Sequence, residues 1–355
     1  VNHGSVKGAV EGRELFGLAS SAIKSHSPDC GDGCLAWCVQ IRLAIFDYHL
    51  TNYEKPQHLL EESLGNLSRA EAPAEIGLGT LFLGNIAWMA GNYPLSSQLG
   101  QEALEIYRSS GDLIGSAEAL DLLGVVAWSQ GDYPEARQYF QQALDVMRPL
   151  GHLAAVAKFL DHLGVAHREL GEYDLAKQDF LESQAIASEL EAKTTLLFIS
   201  NHLAGISIYQ GLTEEAIVQF QQTIALAREM GDRRAQAYNF LDLGSVLRSD
   251  GQESGVISRL DEVEKCLSQS LAIFKDVGEP FGAVLAQGEL AAVQYLSDAS
   301  TGAKRYFQAL QTALEIQNPR LIGETLNNYA NSLREKGRLA QAVEILGCIL
   351  QSAID

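Results

Sequence analysis

The chain has 355 residues, of which 46% are hydrophobic and only 8 are proline, a composition typical of a packed helical protein rather than a disordered one. Its formal charge of −19 is expected to repel phosphate backbones, which excludes direct nucleic-acid binding by this segment. The absence of a long apolar run and of a signal segment, together with an odd count of 5 cysteines, predicts a soluble, cytoplasmic chain with no membrane partner.

The segment 1–33 predicts an incomplete pair of helices. Glu11 lies two periods before Gly91 in the repeat described below, and the apolar residues Leu15 and Phe16 follow it at helical spacing. We therefore expect residues 1–33 to form a partial pair that caps the array.

Three cysteines follow at intervals of four residues, at Cys30, Cys34 and Cys38, with His26 nearby. On one continuous helix they would share a face, and three thiols with an imidazole could bind zinc. However, the glycines around residue 32 are expected to break the helix before Cys34, and Cys-x-x-Cys pairs are absent. We therefore expect free thiols, no metal and no cofactor.

The segment 34–251 carries a regular forty-residue period. The turn glycines of this period are Gly91, Gly131, Gly171, Gly211 and Gly251. Seven residues before each turn glycine lies a small residue that follows a leucine, which predicts close contact between two helices. These steps are Leu83-Gly84, Leu123-Gly124, Leu163-Gly164, Leu203-Ala204 and Leu243-Gly244. Self-similarity at this period is typical of stacked helical pairs.

The second helix of each pair has its own markers. Ala136 and Phe140 lie four residues apart after the turn, and the same pair returns one period and two periods later. Gly111, Gly151 and Gly231 are expected to end these helices in the left-handed conformation. Each unit is thus predicted to be helix, turn, helix, turn.

Towards the C-terminus the cap glycine moves from Gly231 to Gly278, which is further than one period and predicts a loop insertion at residues 252–258. The pattern then resumes in C-terminal repeats at 259–355. The sequence as a whole predicts an all-α, right-handed α-solenoid of about seven helical pairs, in a single superhelical domain spanning residues 1–355.

The repeat resembles the tetratricopeptide repeat in its forty-residue form, most clearly at residues 120–148, where Leu123, Gly131, Tyr133 and Phe140 match. The spacing is similar to that of sensor domains in bacterial signal-transduction ATPases (STAND) and transcription activators such as the maltose regulator. It is also similar to that of peptide-binding scaffolds such as kinesin light chains. Both resemblances imply a role in recognition.

The first helix of each pair is expected to line the inner, concave wall of such a stack, at positions three before, one after and four after the small residue of the leucine step. The ligand-facing residues that this spacing predicts are Leu81, Asn85, Trp88, Asp121, Val125, Trp128, Asp161, Arg168, Asn201 and Arg248, with His162 and His202 beside them and Asn327 and Asn331 in the last repeat.

Two interpretations of these residues remain open. Trp88 and Trp128 lie one period apart, so they form either an aromatic ledge for a ligand or part of the packing between helices. The charged residues either orient a ligand or form solvated faces with mutual charge compensation. The alignment of His162 with His202 at the same period favours a shared role.

The sequence contains neither a Gly-rich phosphate loop ending in Gly-Lys-Ser or Gly-Lys-Thr nor a Gly-x-Ser-x-Gly elbow, so we expect a protein that is not an enzyme. The predicted function is a non-catalytic domain that senses a protein, a peptide or a small effector within a bacterial signalling protein or transcription regulator. The alternative is a peptide-binding scaffold. The apolar residues of the last helix, including Val343 and Ile345, also predict homo-oligomer formation through that helix.

Overall fold

The computed structural model describes residues 10, 13–18, 33–49, 54–68, 72–253, 259–316 and 319–354. Within these ranges the chain is helical and contains no strands, which confirms the all-α prediction. The partial pair predicted at residues 1–33 lies almost entirely outside them, although residues 13–18 are helical.

From residue 33 the helices alternate between the first helix of a pair, called the A helix, and the second, called the B helix. The A helices are α1 (Gly33–His49), α3 (Pro73–Met89), α5 (Leu113–Ser129), α7 (Leu153–Glu169), α9 (Lys193–Tyr209), α11 (Arg233–Glu253), α13 (Pro280–Ser297) and α15 (Pro319–Glu335). The B helices are α2 (Glu54–Gly65), α4 (Tyr93–Ser110), α6 (Tyr133–Leu150), α8 (Tyr173–Glu189), α10 (Thr213–Glu229), α12 (Leu260–Asp276), α14 (Ala299–Glu315) and α16 (Leu339–Ile354).

The turns between helices use the glycines that the sequence predicts. Gly111 ends α4 with a φ of 73° and Gly151 ends α6 with a φ of 66°, a conformation that costs glycine little because it has no Cβ. Asp112 then begins α5, where its side chain accepts a hydrogen bond from the backbone N–H of Gly115. Each helix therefore stops and restarts within a few residues, which folds the chain back on itself.

The small residue of the leucine step lies where the A helix and the B helix of a pair come closest. A Cβ on Gly124 would lie 2.5 Å from the ring of Phe140, and one on Gly164 would lie 2.7 Å from the ring of Phe180. Both distances are too short for real carbon atoms. The predicted close contact within the pairs is therefore confirmed at these two positions.

The chain forms two compact units, Val1–Thr195 and Leu196–Asp355. The core of the first unit lies between its A and B helices, with Phe140, Met147 and Phe159 fully buried. The second unit is built in the same way around residues such as Phe274, which is also fully buried. The single domain spanning 1–355, with its internal boundaries, remains a prediction.

Two predicted features lie at the edge of the described residues. The helix α11 has 21 residues, longer than its neighbours, and ends at Glu253, so the first part of the predicted insertion is helical and its remainder, 254–258, lies outside the described residues. On α16 the side chain of Val343 is exposed. The oligomer predicted through this helix remains a prediction. No described helix has the length and hydropathy that a membrane span requires.

Candidate functional site

The A helices α5, α7, α9 and α11 each have a row of polar and apolar side chains on one face, at helical spacing. We call this row the A-helix stripe. Its members in the first unit are Glu118, Asp121, Val125 and Trp128 on α5, and Lys158, Asp161, His162, Val165 and Arg168 on α7. Its members in the second unit are Phe198, Asn201, His202, Gly205 and Ile208 on α9, and Tyr238, Asp242, Ser245 and Arg248 on α11.

In the first unit a network of charged side chains connects α5 and α7 across the stripe. We call such a contact between stripe residues of neighbouring A helices a rung. The carboxylate of Asp121 lies 2.6 Å from Nδ1 of His162 and 3.2 Å from Nζ of Lys158. Lys158 also lies 2.6 Å from the carboxylate of Glu118. Two cations of one repeat therefore face two carboxylates of the preceding repeat, and Asp121 is only 8% exposed.

The electrostatics of this rung favour the charged form of each of its three groups, Asp121, His162 and Lys158. Burial by itself would raise the pKa of Asp121, but the charges of His162 and Lys158 outweigh it and hold that pKa at about 2. Burial would lower the pKa of His162, but the charge of Asp121 and its hydrogen bond raise it above its usual value. The pKa of Lys158 is raised in the same way by Asp121 and Glu118. The rung is a compensated ion-pair network within the chain.

The two tryptophans of the stripe have different environments. Trp88 on α3 is half-buried, and its indole N–H donates a hydrogen bond of 2.8 Å to the hydroxyl of Ser129 on α5. Trp128 is 36% exposed. Trp88 therefore packs between repeats, and Trp128 is the more accessible of the two rings.

Two of the residues predicted to face a ligand on α3, Leu81 and Asn85, contact other residues of the chain instead. Leu81 is 6% exposed, so it does not reach the surface where the spacing placed it. It belongs to the hydrophobic core that also contains Leu120 and Leu123 of α5, because the next A helix packs against this side of α3. The amide of Asn85 donates a hydrogen bond of 3.0 Å to the backbone carbonyl of Leu81.

On α7 the remaining stripe residues are half-buried. Asp161 and Val165 lie in line with the charged rung. The guanidinium of Arg168 contacts the carboxylate of its neighbour Glu169 at 2.6 Å. His167, outside the stripe, forms a 2.6 Å contact through Nδ1 with the carboxylate of Asp179 on α8, which ties the A helix to its B helix.

In the second unit the corresponding rung lies between α9 and α11 and has a different charge balance. The amide of Asn201 donates a hydrogen bond to the carboxylate of Asp242. Burial raises the pKa of Asp242 to about 6, and the hydrogen bond from Asn201 lowers it only in part. No cationic side chain in the described part of the chain contributes to this shift. His202, next to Asn201, is half-buried.

Large apolar side chains flank this second rung. Phe198 is 58% exposed and Ile208 is 42% exposed, and both lie on the same face of α9 as Asn201. Gly205 lies between them, and a Cβ placed on it would meet no atom within 4 Å. This face of α9 therefore has a polar residue and an unobstructed glycine between two exposed apolar side chains.

Further along the second unit, side chains of neighbouring A helices again form an ion pair and a hydrogen bond. The guanidinium of Arg248 lies 3.1 Å from the carboxylate of Glu289 on α13, and the amide of Asn328 on α15 donates a hydrogen bond of 3.3 Å to the same carboxylate. Of the two predicted asparagines, Asn327 is exposed and Asn331 is half-buried.

Sequence reasoning did not identify several of these groups. Glu118, Lys158 and Phe198 occupy the position six residues before the small residue, and Asp242 and Glu289 occupy the position two before it. The signal was present, because each belongs to an aligned column of the forty-residue repeat that carries charged or aromatic residues. The spacing rule used only three positions of the helix face. The position two before the small residue was named only at His162 and His202, and the position six before it was not used.

Two of the three cysteines that are spaced by four residues lie at the beginning of α1. Cys34 and Cys38 are free thiols one turn apart, and Cys30 lies outside the described residues. Burial and the neighbouring Cys34 raise the pKa of Cys38 to about 11, which opposes the thiolate form that a metal requires. No group of three metal-binding side chains occurs among the described residues.

Comparison with known families agrees with this geometry. The model described as tetratricopeptide repeat matches residues 77–148, and the model of anaphase-promoting complex subunit 5 matches residues 122–210 and 202–241. No curated protein sequence matches the chain.

Several solved structures have the same fold. A Rap protein complexed with competence and sporulation factor is 13% identical, with a TM-score of 0.70 over 98% of this chain and 96% of that chain. The Rap conjugation gene regulator of the plasmid pLS20, in complex with the Phr* peptide, is 14% identical, with a TM-score of 0.61 over 99% and 94%. A Signal Transduction ATPase with Numerous Domains from Pyrococcus horikoshii, which has a tetratricopeptide repeat sensor, is 12% identical, with a TM-score of 0.61 over 99% and 53%.

Proposed function

We propose that this chain, a tetratricopeptide-like repeat protein, is a non-catalytic recognition module that binds an extended peptide or protein segment on the A-helix stripe of either unit. The observation that carries the proposal is the exposure of large apolar side chains on the A helices, at 36% for Trp128, 58% for Phe198 and 42% for Ile208. Aromatic residues of this kind provide much of the binding energy at protein interfaces.

The polar members of the stripe support an extended ligand. Asn327, Asn331 and Asn201 carry carboxamides, which both donate and accept hydrogen bonds and so match the backbone of a peptide in extended conformation. Small apolar effectors would need an enclosed cavity instead. The exposed stripe residues lie on open helix faces, which favours a peptide or protein segment over a compact effector.

The relatives give the ligand class a precedent. Two of the solved structures are Rap proteins, one complexed with competence and sporulation factor and one with the Phr* peptide, and a third is the tetratricopeptide repeat sensor of a signal transduction ATPase. We therefore assign the chain a regulatory role in the cytoplasm, as the sensing part of a bacterial signalling protein or transcription regulator. A peptide that contacts several A helices favours one arrangement of the repeats, which changes the population of states that a partner domain meets.

A second candidate is a scaffold that holds a peptide without signalling. It is favoured by one observation, the match of residues 122–210 and 202–241 to the model of anaphase-promoting complex subunit 5, a component of an assembly. When the ligand binds, a sensor changes its hydrogen exchange or its activity in parts of the protein that the ligand does not contact. A scaffold has no such long-range response.

The proposal can be tested with a fluorescein-labelled random hexapeptide pool and the full chain, by fluorescence polarisation. Phe198→Ala should weaken binding by about tenfold or more, because it removes an exposed ring from the surface that we assign to the ligand. Val218→Ala is the matched control, since Val218 is a similarly exposed apolar residue on the B helix α10. Equal effects of both substitutions, or no binding by the pool, would contradict the proposal.

A further inference from the structure

The two rungs of the A-helix stripe occupy the same pair of helix positions but differ in what neutralises the carboxylate. In the first unit Asp121 is held by His162 and Lys158, both supplied by the next A helix. In the second unit Asp242 receives only the amide of Asn201, which is polar but carries no charge. The chain therefore supplies its own cations at the first rung and none, within the described residues, at the second.

The arginines nearest to Asp242 on either side along α11, Arg234 and Arg248, are engaged elsewhere. Arg248, about one and a half turns along α11 from Asp242, pairs with Glu289 on α13 at 3.1 Å. Arg234, one turn from Tyr238, lies over the ring of that tyrosine at 5.9 Å. An ionised Asp242 is thus a half-buried charge for which no cation of the described residues contributes to the pKa, and this is an energetically costly arrangement in the unbound protein.

The face of α9 that carries Asn201 offers further groups suited to a flat cation. Gly205 lies on this face, and a Cβ placed on it would meet no atom within 4 Å, so this part of the face is open. Phe198 lies one turn before Asn201 and is 58% exposed. A carboxylate, an amide oxygen and an aromatic face are the groups that a guanidinium contacts, through paired hydrogen bonds and through stacking.

We infer that the Asn201–Asp242 rung, together with the ring of Phe198, is the receptor for an arginine side chain of the bound peptide, and that Ile208 contacts an apolar residue next to that arginine. This inference rests on the function proposed above and specifies its ligand class. The overall charge of −19 agrees with it, because an acidic surface attracts a cationic peptide and raises its rate of association.

The inference also explains why the two rungs differ. A rung that holds two repeats together requires its charges to be balanced at all times, as they are around Asp121. A rung that binds a cation must lack that cation when the ligand is absent. The Asn201–Asp242 rung meets the second condition within the described residues.

The experiment uses two fluorescein-labelled hexapeptide libraries, one with arginine fixed at each position in turn and one with citrulline, its neutral isostere, in the same place. Binding to the full chain is measured by fluorescence polarisation for the wild type, Asp242→Asn and Asp121→Asn. We expect the wild type to bind the arginine library at least about tenfold more tightly than the citrulline library. Asp242→Asn should abolish this preference, and Asp121→Asn, which acts on the self-neutralised rung, should retain it.

The outcomes separate this inference from the function on which it rests. Peptide binding with equal affinity for arginine and citrulline, or an arginine preference that survives Asp242→Asn, would overturn the arginine receptor and leave peptide recognition standing. Failure of both libraries to bind the wild type would overturn peptide recognition, and the arginine receptor with it. Circular dichroism melts of each variant confirm that it is folded. Asp242→Asn is expected to fold at least as well as the wild type, because it removes a buried charge without changing the shape of the side chain.

Discussion

The rung in the first unit and the rung in the second unit are built from the same helix positions, yet they have opposite electrostatic character. At the first rung the charges of His162 and Lys158 hold the pKa of Asp121 down to about 2. At the second rung burial raises the pKa of Asp242 to about 6 with only the amide of Asn201 opposing it. A repeat can therefore keep its backbone frame while the exchange of the side chains at these positions turns a structural link into a binding group.

The largest effect is expected from breaking the first rung. Asp121→Ala should lower the free energy of unfolding by about 2–4 kcal/mol, because it leaves His162 and Lys158 without the carboxylate that they share. Urea unfolding at neutral pH measures the change. The control is Asp121→Asn, which keeps the shape of the side chain and should destabilise less. A loss for Asp121→Ala no larger than that of an ordinary surface substitution would show that the rung does not hold the two repeats together.

A steric comparison of two glycines should give the next largest effect. Gly124→Ala should destabilise the chain by about 1–3 kcal/mol, since its Cβ would lie 2.5 Å from the ring of Phe140. Gly205→Ala has open space and should be neutral or stabilising by about 0.5–1 kcal/mol through helix propensity. Thermal melts of the two variants measure the difference. Equal losses at both positions would mean that the two glycines are not distinguished by packing.

The second rung should respond to mutation in the opposite direction from the first. Asp242→Asn should raise the free energy of unfolding at pH 7.5 by about 1–2 kcal/mol, less than the full value of the pKa change because the side chain is partly exposed. The measurement is chemical denaturation of both proteins at the same pH. A destabilisation by this substitution would contradict the uncompensated state of Asp242.

The stability of Asp242→Asn relative to the wild type should depend on pH. Because the folded state raises the pKa of Asp242 from 3.8 to about 6, its protonation stabilises the fold fully below pH 3.8, and this contribution is lost as the pH rises through 6. The gain in free energy of unfolding of Asp242→Asn over the wild type should therefore be small at acid pH and grow as the pH rises through 6. Asp121 has a lowered pKa, so its contribution is present above pH 3.8 and is lost as the pH falls towards 2.

The contribution of His162 has the opposite sign to that of Asp121. Its raised pKa means that its stabilisation is complete below its ordinary value of 6.5 and is lost as the pH rises through the folded value. Melting temperatures from acid to mildly alkaline pH for the wild type and the two asparagine variants test all three signs. An Asp242→Asn advantage that shrinks as the pH rises would not fit the assigned groups.

The smallest stability effect is expected at Trp128. Trp128→Ala should cost less than about 1 kcal/mol of stability, because the ring is 36% exposed, and should weaken peptide binding by more than that. Trp88→Ala is the control, since Trp88 is held by a hydrogen bond to Ser129 and should lose more stability than binding. The reverse pattern would assign Trp128 to the core and Trp88 to the ligand surface.

Much of the fold could be predicted from the sequence because it is local. The glycines at residues 111 and 151 adopt the left-handed conformation that the pattern demands, and the small residues at 124 and 164 lie at the closest approach of two helices. These features need only the residues within one repeat, so the period of the sequence reveals them.

The rungs could not be predicted in the same way, because they depend on how one repeat stacks on the next. The pairing of Asp121 with His162 does not join equivalent positions of two repeats, so the period aligns His162 with His202 without naming the partner of either. The burial of Leu81 and the exposure of Trp128 likewise depend on the packing between A helices. The spacing marked a helix face, and only the stacked helices show which residues on that face reach the surface.

Hydrogen exchange of the full chain, with and without a saturating arginine-containing hexapeptide from the library, is the decisive test of whether the A helices of the second unit bind the peptide. We predict slower exchange in α9 and α11 when the peptide is bound, with little change in the B helices α8 and α10. Protection confined to the B helices, or an unchanged exchange rate in α9 and α11 under saturating conditions, would contradict it.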